Sequence, residues 1–201
     1  MSGGKVSQVQ KSVQTFNRRI PASLKREQLG IAKTLRKERF QKEPFKALAA
    51  LYDLLDRIYS HTDGLIACKK GCSYCCHMQV IVTQVEADYI AAQSGVTAKR
   101  LATPGNPDSE SWINSSKPCP FLRANQCSIY LYRPVNCRTH VSFEQDAQKC
   151  GFDSTSNISM IDREASLPGA MQAYREIALR YGGHSADIRD FFEKSSVLLF
   201  K

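Results

Sequence analysis

Four of the chain's eight cysteines stand within nine residues, Cys68-Lys69-Lys70-Gly71-Cys72-Ser73-Tyr74-Cys75-Cys76, and the other four, Cys119, Cys127, Cys137 and Cys150, follow downstream. Thiols at this density are paired, metallated or kept reduced for chemistry. A single buried cysteine is an ordinary small core residue, but that habit does not account for eight gathered together. Soft thiolates select zinc, Cu(I) or iron–sulfur clusters and disfavour Mg and Ca. Residue types alone do not choose among the soft options. A zinc ribbon needs two short Cys-x2-Cys knuckles, and here only Cys72 and Cys75 have that spacing. The thiolates must therefore converge through tertiary structure.

Two local geometries would gather Cys68, Cys72, Cys75 and Cys76. On a helix they occupy positions i, i+4, i+7 and i+8, which share one face. In a loop, Gly71 lets the backbone turn so that amides approach a thiolate-bound centre. The adjacent pair Cys75-Cys76 is awkward in either case, because neighbouring side chains diverge. One of the two then faces a second metal or is not a ligand. His77 beside the first group and His140 near Cys137 could each supply a nitrogen ligand, although histidines in such places more often simply hydrogen-bond. Arg133 and Arg138 have two readings as well: pairing with Asp or Glu, or offsetting the negative charge of a thiolate-rich centre.

The elements that must position these residues are mostly helical. Leu24, Ile31 and Leu35 recur at helical spacing over Ser23 to Phe40. Phe45, Leu48, Ala49, Leu51, Tyr52, Leu55, Ile58 and Tyr59 give a broad apolar face from Pro44 to Ser60, with proline at the first turn. Thr83-Gln84-Val85-Glu86 is a capping-box pattern opening a helix that stops near Gly95. Thr97 caps a short helix through Leu101, and Pro104-Gly105-Asn106-Pro107 reads as a turn. Residues 118 to 150 carry little periodicity and read as irregular structure held by its ligands. A helix follows Pro168 and ends at Gly182-Gly183. Ser185 caps a last one containing Ile188, Phe191, Phe192, Val197 and Leu198. Residues 1 to about 20 are polar and read as disordered. The fold class expected is mainly α, a small irregular cysteine-rich, metal-centred domain flanked by helices. Residues 1–44 form a basic extension and residues 45–201 the cysteine-cluster domain.

Charge is distributed unevenly. Of the net +9, all lies in Met1–Leu48, where twelve Lys or Arg face three Glu; the rest balances sixteen basic against sixteen acidic groups. A basic segment is most often a solvated face. Its sharper reading is contact with an acidic protein or a nucleic acid. No secretory signal and no run of transmembrane length is evident, so a cytoplasmic protein without membrane contact is expected. In a reducing compartment four stable disulfides are disfavoured.

The ordered elements Cys68-x3-Cys72-x2-Cys75-Cys76, Cys119-Pro120-Phe121-Leu122, Cys127-Ser128-Ile129-Tyr130 and Arg133-Pro134-x-x-Cys137-Arg138 resemble the YkgJ-type cysteine-cluster family of zinc- or iron-chelating proteins. The resemblance covers about residues 64 to 150. It implies a bound metal centre with Cys68, Cys72, Cys75, Cys76, Cys119, Cys127, Cys137 and Cys150 as ligands, holding zinc or an iron–sulfur cluster. A flagellin lysine methylase carries a similar arrangement, which brings in the iron–sulfur option. Where family members continue after the last Cys-Arg with an aromatic residue and a proline, this chain has Thr139-His140-Val141. The expected function is a metal-binding protein. The competing expectation is an iron–sulfur enzyme acting by methyl or electron transfer on a protein or small molecule, and a third is an adaptor docking through its basic segment.

Overall fold

The computed structural model describes residues 7–69, 71–104, 117–144, 146–147 and 166–193. The structure is mainly helical. Helix α1 (Gln8–Arg19) is followed by α2 (Ala22–Leu35), the short α3 (Glu38–Gln41) and α4 (Pro44–Tyr59). The strand β1 (Ile81–Thr83) leads directly into α5 (Gln84–Ser94). A small hairpin, β2 (Leu122–Arg123) and β3 (Gln126–Cys127), precedes α6 (Val135–Thr139). The chain closes with α7 (Pro168–Tyr181), β4 (Ser185–Asp187) and α8 (Ile188–Phe191).

The first helix corrects the expectation of disorder up to residue 20. Ser7 and Gln10 form a capping box at its start, which satisfies two otherwise orphaned amides. Phe16 is fully buried and stacks on Tyr59 at 5.7 Å. An otherwise polar segment is thus fixed by one aromatic anchor. Residues 1–6 and 194–201, including Val197 and Leu198, lie outside the described residues, as does most of the Pro104–Pro107 turn.

The apolar stripe of α2 is buried as its spacing requires, with Leu24, Ile31 and Leu35 inside and Leu29 61% exposed. The helix stops at Leu35 instead of running on to Phe40. In α4 the inward residues include Ala47 and Leu54, whereas Ala49 faces solvent. Helices α2, α4 and α7 pack together, and one apolar core joins Phe16, Leu24 and Ile31 to Leu48, Leu55, Met171 and Ile177. Hydrophobic contact is therefore continuous across residue 44.

A second apolar cluster contains Val82, Ile90, Phe121, Ile129, Ile188, Phe191 and Phe192, and the cysteines Cys76, Cys127 and Cys137 pack against it. Strand β1 pairs with β4 antiparallel, Ile81 opposite Asp187 and Thr83 opposite Ser185. Two further expectations are corrected here. Residues 96–100 carry no helix. Asp187, not Ser185, caps α8, its carboxylate accepting from the Arg189 amide, because Ser185 is committed to the β1 ladder. No helix among the described residues is long and apolar enough to cross a membrane.

Helix α7 meets α2 at Gly169, where an added Cβ would lie 2.1 Å from the Gln28 carbonyl oxygen and 2.7 Å from Leu29 Cα. Backbone cannot yield as a side chain does. Gly169→Ala is expected to cost about 1–3 kcal/mol in urea unfolding of the full chain, the range for overpacking. Gly30→Ala, which meets open space, is expected to be neutral or to stabilise by up to about 1 kcal/mol.

Candidate metal centre

Of the two geometries open to the first cysteine group, the structure adopts the loop. Cys68, Lys69 and Gly71 to Ser73 carry no helix or strand, and a 3₁₀ turn spans Tyr74–His77. Gly71 takes φ +90°, a left-handed conformation that other residues enter at a cost. The loop is closed by Cys72 N donating to the Lys69 carbonyl at 2.9 Å and by Cys76 N donating to the Ser73 carbonyl at 2.9 Å.

The downstream cysteines come to this loop. Cys119 N donates to the Cys76 carbonyl at 2.7 Å, so two stretches distant in sequence are joined beside a cysteine on each. The tight turn at Ala124 and Asn125, both with positive φ, folds β2 on β3 and sets Cys127 opposite Leu122. Asn tolerates this conformation well. Cys137 rides on α6, and Cys75 and Cys137 line one cavity of about 220 Å³ together with Met78, Gln79, Asn136 and His140. Cys150 lies outside the described residues.

The thiols sense one another. Cys75 has its pKa raised strongly, first by its hydrogen bond with Cys76, then by burial and by repulsion from charge on Cys76 and Cys68. Burial raises Cys137 well above the ordinary thiol value, and charge on Cys119, Cys75 and Cys127 adds to it. Burial likewise pushes Cys119 from 9.0 up to about 12. Cys72 and Cys127 are raised chiefly by burial, with Cys75 contributing to both. Cys75 is therefore common to the Cys68, Cys72, Cys76, Cys127 and Cys137 interactions. Cys72, Cys75, Cys76, Cys119, Cys127 and Cys137 are free thiols. Among the described residues, no three His, Cys, Asp or Glu are grouped so as to hold a metal ion.

Residues 67–152 match the family model CxxCxxCC, a "Putative zinc- or iron-chelating domain". All eight cysteines fall within that span. No curated protein and no solved structure matches the chain. This match supports metal binding, and the residues present suit it: a neighbourhood of soft donors, and a buried amide donor, Gln79 Nε2, left without a partner on the wall that holds Cys75 and Cys137.

Arg138 pairs with Asp56, and Arg133 reaches the same carboxylate at 3.7 Å. Arg138 is buried, its Nε donates to the Arg133 carbonyl at 2.8 Å, and its guanidinium lies 4.2 Å over the Tyr52 ring. It ties the chain around Cys137 to α4. Arg133 also lowers the Cys127 thiol against the effect of burial, so for this residue both readings hold.

Three residues support the cysteine-bearing stretches through long-range contacts that residue order does not announce. Glu86, fully buried, accepts from Tyr52 at 3.0 Å, from Tyr174 at 2.7 Å and from the Val135 amide at 2.8 Å, besides capping α5. It thereby fixes the start of the helix that carries Cys137. Asp187 accepts from the Val80 amide at 2.9 Å and holds Arg189 through both carboxylate oxygens. Arg189 then donates to the carbonyls of Cys76 at 3.3 Å, Met78 at 3.1 Å and Lys117 at 3.0 Å. One guanidinium spans both cysteine segments. Arg189→Lys keeps the charge beside Asp187 but loses this fork. The expected result is a folded chain by circular dichroism whose metal affinity, in competition with a coloured chelator, falls about 10–100-fold, the usual effect of losing an outer-shell partner.

Proposed function

We propose that the chain is a metal-binding protein whose thiolate-rich centre, zinc or iron–sulfur, draws its ligands from Cys68, Cys72, Cys75, Cys76, Cys119, Cys127, Cys137 and Cys150. The observation that carries this reading is geometric: Cys75 and Cys137 line one cavity, and the Cys119 amide donates to the Cys76 carbonyl, so cysteines from separate stretches meet. His77 and His140 are the nitrogen donors within reach of the same neighbourhood in sequence. When bound, a metal would supply the positive charge that lets these thiols ionise together; a cluster would in addition supply one-electron chemistry. The chain's own residues hold the sulfur atoms and shield them. Arg189 and Glu86 fix the backbone on either side.

The iron–sulfur enzyme reading uses the same site and differs in the cofactor. Broad visible absorption of protein purified without oxygen would favour it; a colourless protein with stoichiometric zinc would favour a structural centre. The basic helices belong to a separate proposal, that an acidic protein or a nucleic acid docks on them. Its support is that Phe16, Leu24 and Ile31 anchor α1 and α2 inward while Lys11, Arg18, Lys25 and Lys33 remain exposed.

Because the pKa values of Cys72, Cys75, Cys119, Cys127 and Cys137 are raised, a metal must displace protons to bind there. Affinity is expected to rise with pH by about one decade per unit for each proton displaced. The sign for the metal-free protein is the reverse. A folded-state thiol pKa above the unfolded value of 9.0, as at Cys119, means that stability falls as pH rises beyond about 9. Competition titrations between pH 6 and 8 on the full chain, with Cys75→Ser and Cys137→Ser alongside, test the reading. The expected outcome is a steep pH dependence and a loss of stoichiometric loading in both variants. PH-independent binding that survives both substitutions would overturn it.

A further inference from the structure

The cavity shared by Cys75 and Cys137 is larger than a single ion requires. Its volume of about 220 Å³ compares with ~30 Å³ for one water's share of the liquid and falls short of the ~300–1,000 Å³ of drug-sized pockets. It suits a metal-bound sulfur face plus a ligand of several heavy atoms. The remaining wall is made of Met78, Val80, Ile81, the amide-bearing Gln79 and Asn136, and His140. The Asn136 amide is engaged, donating to the Ile81 carbonyl. Gln79 Nε2 is buried without an acceptor among the described residues, an omission that ordinarily costs about 1–3 kcal/mol. No Lys or Arg lines the cavity, and thiolates beside it would repel an anion.

We propose that this cavity is a binding site for a small uncharged molecule with a carbonyl-type hydrogen-bond acceptor. Gln79 Nε2 anchors the acceptor, the aliphatic wall of Val80 and Ile81 receives the remainder, and the ligand lies against the metal centre. The inference rests on the metal-centre reading given above. It adds that the centre is open on one side to a ligand, in contrast to a closed structural site.

The probe is N-methylacetamide, with acetate as the anionic comparator. Both are titrated into the full-length chain loaded with Co(II), whose visible absorption reports its surroundings. The expected result is a saturable spectral change with N-methylacetamide at millimolar concentration and a weaker one with acetate. Gln79→Leu, which keeps bulk and removes the donor, is expected to weaken the response at least tenfold at unchanged Co(II) stoichiometry. Ile81→Phe, which adds bulk at another lining position, is expected to weaken it as well. A loaded protein that does not respond, responds equally in both variants, or prefers acetate overturns this inference and leaves the metal centre standing. Failure to load Co(II) with thiolate-type absorption overturns both.

Discussion

Thiols from separate stretches can share a half-buried place only if the charge they would carry is neutralised. Two thiolates close together in a medium of low polarity repel strongly, and burial penalises each one by itself. In the metal-free chain, protons do the neutralising, which is why Cys75, Cys119, Cys127 and Cys137 are all held protonated above the ordinary thiol range. A soft cation satisfies the same requirement with more bonds. The cysteine loop, the hairpin carrying Cys127 and the short helix carrying Cys137 have little regular structure between them, so their mutual placement depends on the frame that holds them.

That frame is built from polar cross-links, each with at least one buried partner. Glu86 joins α4, α5, α7 and the start of α6. Arg138 and Asp56 tie the segment around Cys137 to α4. Asp187 and Arg189 join β4 to the backbone at Cys76, Met78 and Lys117. Buried ion pairs contribute little net stability compared with apolar replacements, but breaking one is costly. Their effect here is geometric. Each ends on a carbonyl or amide of a cysteine-bearing stretch, which limits where the sulfur atoms can go. The second apolar cluster then packs against Cys76, Cys127 and Cys137.

Much of this was legible from residue order. The cysteine spacing announces soft-metal chemistry because no ordinary core needs that density of thiols. The capping box at Thr83 and Glu86 and the apolar face of α4 are local signals, and local signals survive folding. What escaped is non-local. Glu86 reads as a helix cap, yet its tyrosine partners lie 34 and 88 residues away. Arg189 sits 113 residues from Cys76 and carries no motif. Helix α1 escaped because one phenylalanine in a polar stretch gives almost no periodicity, although its burial against Tyr59 decides the matter. The helix expected over Thr97–Leu101 failed for the opposite reason. A plausible cap was present, but residues 99 and 101 are held by the Phe191 carbonyl and the Gln84 side chain instead.

The central claim is that sulfur atoms of this chain surround a metal. X-ray absorption at the zinc or iron edge of full-length protein purified without oxygen addresses it most directly. The account predicts a first shell dominated by sulfur at about 2.3 Å, the usual metal–thiolate distance for zinc and close to that for iron. A shell made of oxygen and nitrogen alone would contradict it.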